Sequence, residues 1–132
     1  MEGALILETT FLVDLERDAR RGTKGAAHDV LTRHAGDRLY ITPTIAGELA
    51  AGASMAERGR WETFVAPFHV LALSRDVCWE YGNAFRYLQA NGVLIGANDL
   101  WIAAAGIAYG MPVVSRNSRH LSRVPRLEVI GY

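Results

Sequence analysis

The sequence has one cysteine, one lysine and no apolar run approaching the ~18 residues of a membrane span, and each scarcity excludes something. A lone Cys78 rules out an internal disulfide and a cysteine-based zinc centre, and suits a reducing cytoplasm. The apolar piece ALIL near the start is too short for a secretory signal and runs into charge, so neither export nor membrane insertion is expected. Charge of neither sign is in excess, with 14 basic and 14 acidic residues, so no global field advertises a polyanionic partner. Of the 14 basic residues, 13 are arginine and Lys24 is the exception. That bias suits bidentate recognition of phosphate or carboxylate, although a GC-rich genome produces it too. There is no G-x-S-x-G elbow and no Walker-type phosphate loop. Repeats, low-complexity tracts and linkers are also missing, so residues 1–132 are expected to form one domain that buries about two-thirds of its unfolded surface.

What is present alternates between two periodicities. ALIL predicts a buried strand, and TTFLVDLERDAR a helix with Phe11, Leu12 and Leu15 on one face and Thr9 or Thr10 as cap. TKGAAHDVLTRHAG predicts a second helix stopped at Gly36, and RLYIT a strand. Thr42 and Pro43 read as cap and first turn of a helix over PTIAGELAAG. A helix ending near Pro67 follows, then HVLAL as a strand. Ser74 caps a long helix to Asn91 with Val77, Tyr81, Phe85 and Leu88 as its stripe. GANDLWIAAAGIAYG is apolar nearly all round and is expected to be central, followed by the short strands PVVS and LEVIG. Strands alternating with helices predict an α/β layer fold with a mostly parallel sheet.

In such sheets ligands gather outside the carboxyl ends of strands. Glu8 ends the first strand, Glu48 lies in the helix after the second, Asp99 opens the apolar helix, and Asn117 follows PVVS. Oxygen ligands without cysteine or paired histidines suit a hard cation, Mg²⁺ or Mn²⁺. Each residue also has a plain reading. Glu8 and Asp99 could be charges favoured at helix N-termini, Asp99 with Asn98 as cap. Glu48 is harder to dismiss, because it interrupts a small-residue packing face and needs a partner there. His120 reads as a surface or capping histidine, Cys78 as buried and inert, and the methionines and Trp61, Trp79 and Trp101 as core or interface packing. A phosphatase or receiver-like domain would also use strand-end acids, but Lys24 is misplaced for the receiver's late lysine.

At these residues the chain resembles the PIN-domain nucleases, and among them the VapC-type toxins of bacterial toxin–antitoxin pairs. The likeness runs through LILETTFLVDL and ITPTIAGELAAG to IGANDLWIAAAGIAYGMPVVSRNSRHLSRVPRLEVI. The last segment is the specific one: an aspartate before an alanine-rich helix, a strand ending in Ser-x-Asn, then His-Leu and Val-Pro. The resemblance implies a three-layer α/β/α sandwich and an endoribonuclease dependent on Mg²⁺ or Mn²⁺, in which a metal-activated water hydrolyses RNA phosphodiesters. Carried over by position, the family's strand-end aspartate falls on Glu8, its helical glutamate on Glu48 and its helix-opening aspartate on Asp99, all three as catalytic and metal-binding residues. Asn117 stands where a fourth acid is often found, and Thr9 or Ser115 would supply the family's hydroxyl near the metal.

Arg116, Arg119 and Arg123 stand beside this site as candidate RNA-phosphate contacts, or as a solvated arginine-rich loop. The resemblance also implies a homodimer and a cognate antitoxin, with Phe11, Leu12 and Leu31 as candidates for its groove. Glu8 is one methylene, about 1.5 Å, longer than the family's aspartate. The alternative is therefore an impaired PIN domain that binds RNA or antitoxin without cutting.

Overall fold

The computed structural model describes residues 3–132, and Met1 lies outside them. Strand β1 (Ala4–Leu7) is followed by helices α1 (Thr9–Arg21) and α2 (Ala26–Arg33), then β2 (Arg38–Ile41). Helix α3 (Pro43–Ala51), a 3₁₀ turn (Ala53–Met55) and α4 (Arg58–Val65) lead to β3 (His69–Val70). Then come α5 (Arg75–Ala90), α6 (Ala97–Tyr109), β4 (Val113–Val114), α7 (Ser118–Leu121) and β5 (Val129–Ile130). The five strands form one wholly parallel sheet in the order β3-β2-β1-β4-β5.

That order fixes the place where a ligand can enter. From β1 the chain moves outward through β2 to β3, then crosses back to β4 and moves outward the other way to β5. Right-handed crossovers put α1–α4 on one face and α5–α7 on the other, which makes three layers. The winding reverses between β1 and β4, the switch point at whose carboxyl end α/β sheets open a crevice. The register pairs Leu7 with Val114, so the next residues, Glu8 and Ser115, are neighbours at that edge.

The core is aliphatic: Leu5, Ile6 and Leu7 of β1, Ile41, Val113 and Val114 of the flanking strands, and Phe11 and Leu12 of α1 are all buried. Helix α6 is central, as its composition predicts, with Leu100, Ile102, Ala103, Ala104 and Ala105 buried. Its close approach to the sheet depends on Gly106. A Cβ there would lie 2.6 Å from Leu127 Cδ1, 3.0 Å from Val113 Cγ2 and 3.1 Å from the Met111 carbonyl oxygen. Gly106→Ala gains about 1 kcal/mol of helix propensity and loses about 1–3 kcal/mol to overpacking. The expected outcome is a thermal midpoint lower by roughly 3–6 °C for each net kcal/mol lost, checked by calorimetry; a rise would show that the contact relaxes freely.

Several expectations are corrected. Only His69–Val70 of HVLAL is strand, because β2 ends at Ile41, whose carbonyl takes the Leu71 N–H at 2.8 Å, and beyond it Leu73 is exposed at this sheet edge. Helix α2 ends at His34, whose ring bonds Asp37 at 2.8 Å, and not at Gly36. Helix α1 is capped by Glu8, not by Thr9 or Thr10, and α6 by Gly96, not Asn98. Cys78 is exposed rather than buried, since it lies off the Val77–Leu88 stripe of α5. Trp79 is 65% exposed on the same outer face, whereas Trp61 is half-buried and bonds the Ala46 carbonyl and Trp101 stacks on Tyr81. Phe11 and Leu12 are fully buried and belong to the core rather than to an open surface, and Leu31 packs partly against that core.

Candidate active site at the sheet edge

Glu8 leaves β1 in extended conformation and is 3% exposed. Its Oε2 accepts from the Thr10 backbone N–H at 2.6 Å, the Thr10 hydroxyl at 2.6 Å and the Ser115 hydroxyl at 3.2 Å. The carboxylate thus satisfies an orphan donor at the N-terminus of α1, as an N-cap does. Burial pushes its pKa above 4.5, the Thr10 and Ser115 hydrogen bonds oppose that shift, and the charge of Asp99 adds to it.

Glu48 and Asp99 come from α3 and α6. The Thr9 hydroxyl donates to Glu48 Oε1 at 2.6 Å and the Asn98 amide to Oε2 at 3.3 Å. Asn98, expected as a cap, instead ties α6 to α3. Asn117 donates to Asp99 Oδ2 at 3.3 Å, and its own backbone N–H is held by the Ser115 hydroxyl at 2.8 Å. Burial raises the Asp99 pKa, the Glu48 carboxylate raises it further, and His120 pulls the other way. Asp99 therefore feels Glu48 and is felt by Glu8, so the three acids form one pocket of mutually opposed negative charge.

The profile of the PIN domain family matches residues 5–127, which carry all three acids. The chain belongs to the PIN domain family. This PIN domain is 29% identical to the Ribonuclease VapC of Rickettsia bellii, over 96% of this chain and 94% of that one. It superposes on the structure of VapBC2 from Rickettsia felis bound to a DNA fragment from its promoter, with a TM-score of 0.82 and 22% identity over 98% of both chains. On VapBC-1 from nontypeable Haemophilus influenzae the TM-score is 0.80, with 21% identity over 97% of both chains. The resemblance to VapC-type PIN domains and the α/β/α sandwich expected from it both hold.

An all-oxygen donor set suits Mg²⁺ or Mn²⁺ in chemistry, and a cation would relieve the repulsion that raises the Asp99 and Glu8 pKa values. Among the described residues of this PIN domain, however, no three His, Cys, Asp or Glu side chains are arranged to hold a metal ion. Glu8 commits one carboxylate oxygen, Oε2, to capping α1 and to Ser115.

Thr9 and Ser115, the two hydroxyl candidates, both bond site carboxylates. The arginines divide: Arg116 pairs with Asp14 at 3.1 Å, Arg123 reaches the Leu94 carbonyl at 3.4 Å, and Arg119 is exposed. Sequence reasoning missed Thr10, which joins Glu8 to the Arg116 backbone N–H at 3.1 Å, and missed Asp14 and Tyr132 altogether. The pair of threonines after Glu8 was the only local signal for Thr10.

Proposed function

We propose that this chain is a divalent-metal-dependent endoribonuclease, the cytoplasmic toxin half of a toxin–antitoxin pair, hydrolysing RNA phosphodiester bonds. The observation that carries this reading is the meeting of Glu8, Glu48 and Asp99, from three separate elements, at the switch point of a PIN-domain sheet. Relatives named Ribonuclease VapC and structural neighbours that are VapBC complexes support it.

Asp99 and Glu48 are the residues that would hold Mg²⁺ or Mn²⁺, with the Glu8 carboxylate completing the set. A bound divalent ion supplies a polarised water and the positive charge without which RNA phosphate and three carboxylates repel one another. The chain's own contribution is orientation. Thr9 and Asn98 fix the two oxygens of Glu48, Asn117 turns Asp99, and Ser115 bridges Glu8 to the Asn117 backbone. Such supporting bonds set how well a metal ligand performs.

For the antitoxin, a groove of about 570 Å³ between α1, the 3₁₀ turn and α4, with Ala19, Arg20, Met55, Arg60 and Phe64 in its walls, replaces Phe11 and Leu12 as the docking candidate. A homodimer belongs to the same reading.

The test is metal removal and return. Structured RNA incubated with the chain is expected to be cut with Mg²⁺ or Mn²⁺ and left whole with EDTA. Binding without cutting in either metal would instead favour the second reading, an impaired PIN domain that grips RNA or antitoxin, whose supporting observation is the capping posture of Glu8. Cutting that persists in EDTA would overturn metal dependence.

A further inference from the structure

Beyond the acidic pocket, a second polar network runs from its rim into α1. Arg116 donates from Nη1 to Asp14 Oδ1 at 3.1 Å. The Tyr132 hydroxyl donates to Asp14 Oδ2 at 2.6 Å, and the Tyr132 ring packs edge-on against buried Phe11 with centroids 5.4 Å apart. Arg17 lies 3.5 Å from Asp14 Oδ1, one helical turn away. The Arg116 backbone N–H bonds the Thr10 hydroxyl that also bonds Glu8.

Two features separate this from an ordinary surface ion pair, which contributes little. The Asp14 side chain is only 16% exposed and both its oxygens are engaged, so it is a fixed anchor and not a mobile surface charge. The phenol of Tyr132 is held as a neutral donor, because burial and the adjacent Asp14 carboxylate push its pKa up. The anchor occupies one donor of a guanidinium that has five, and the Arg116 side chain remains 54% exposed. An arginine held this way, one residue from Ser115 and two from Asn117, is pre-set to take a phosphate oxygen with its remaining donors.

We propose that Asp14 and Tyr132 are positioning residues that hold Arg116 at the rim of the acidic pocket, where its guanidinium grips a backbone phosphate of the RNA flanking the scissile bond. This rests on the endoribonuclease reading. Its energetic basis is pre-organisation: a long side chain already ordered in the free protein loses less freedom when the phosphate arrives. Asp14 and Tyr132 themselves touch no RNA.

The test uses the full chain and a mixture of fluorescein-labelled RNA stem-loops with randomised loops, measuring cleavage kinetics and anisotropy with Mg²⁺ and with Mn²⁺. Arg116→Ala is expected to weaken binding about tenfold and to reduce the salt slope by about one phosphate contact. Asp14→Asn is expected to raise KM and Kd about three- to tenfold, with the loss falling on KM, and to leave the salt slope as in the parent. Tyr132→Phe keeps the ring against Phe11 and removes only the hydroxyl. It is expected to show a smaller loss of the same kind, and it carries the test if Asp14→Asn fails to fold. The Asp14→Asn/Arg116→Ala double variant is expected to bind no worse than Arg116→Ala alone. Additive losses, tighter binding by Asp14→Asn, or no change in either single variant would overturn the positioning role while leaving the nuclease reading intact. Failure of the parent chain to bind or cut any of these RNAs would overturn both.

Discussion

Replacing Glu8 by aspartate is expected, on the endoribonuclease reading, to raise the rate of metal-dependent RNA cleavage by on the order of tenfold to a hundredfold, because the resemblance implies an aspartate, shorter by one methylene, at this position. The glutamate carboxylate caps α1, with one oxygen accepting three hydrogen bonds from Thr10 and Ser115. Mg²⁺ tolerates little displacement of a ligand, holding its oxygens at about 2.0–2.1 Å in near-octahedral geometry. Aspartate is itself a preferred N-cap, so the start of α1 is expected to keep its stability. Single-turnover cleavage with Mg²⁺ and Mn²⁺ checks the rate, and thermal unfolding checks the fold. The parent chain is expected to show the larger preference for Mn²⁺. An aspartate form no faster than the parent in either metal would mean that Glu8 already performs whatever role this position has.

Asp99→Asn carries the second large effect, and it moves activity and stability in different directions. Loss of a group that merely supports a metal ligand costs about 10–100-fold, so loss of the ligand itself is expected to lower cleavage by more than about a hundredfold. Stability is not expected to fall. The folded-state pKa of Asp99 is raised above its ordinary value of 3.8 by burial and by Glu48. The folded chain therefore holds that proton more tightly than the unfolded chain. Stability declines as pH climbs from about 3.8 through the raised value and stays reduced above it. Asparagine removes that penalty and can still accept the Asn117 hydrogen bond through its carbonyl oxygen. Thermal midpoints measured without divalent ions are expected to be equal or higher for Asp99→Asn at pH 7, with a shallower decline between mildly acidic and neutral pH. A clearly lower midpoint at pH 7 would show that Asp99 serves the fold rather than a ligand.

The two effects together define a site that works against its own stability. Three acids are kept close by hydrogen bonds from Thr9, Thr10, Asn98, Ser115 and Asn117, and no cation stands among those donors. Arg116, beside Ser115, is paired with Asp14 and not with any of the three acids. The raised pKa values of Glu8 and Asp99 mark a cost in stability of the kind accepted elsewhere for function.

The order of the strands and of helices α1–α6, the central place of α6 and the boundaries set by Thr42, Pro43 and Ser74 were legible in the sequence, because periodicity and capping act over a few residues, whereas the short α7 was not. The sequence also singled out Glu8 at a strand end, Asp99 at a helix start and Glu48 within the packing face of a helix. The resemblance implies an aspartate where Glu8 stands. Only the tertiary structure decided what the Glu8 carboxylate bonds. The β1–β4 register sets Ser115 beside Glu8, the first turn of α1 brings Thr10 back over it, and the carboxylate becomes a cap. The same holds for Asp14 and Tyr132, 118 residues apart, which no local pattern links. Hydrogen bonds between distant elements depend on register and layer packing, and those are properties of the folded chain rather than of any window along it.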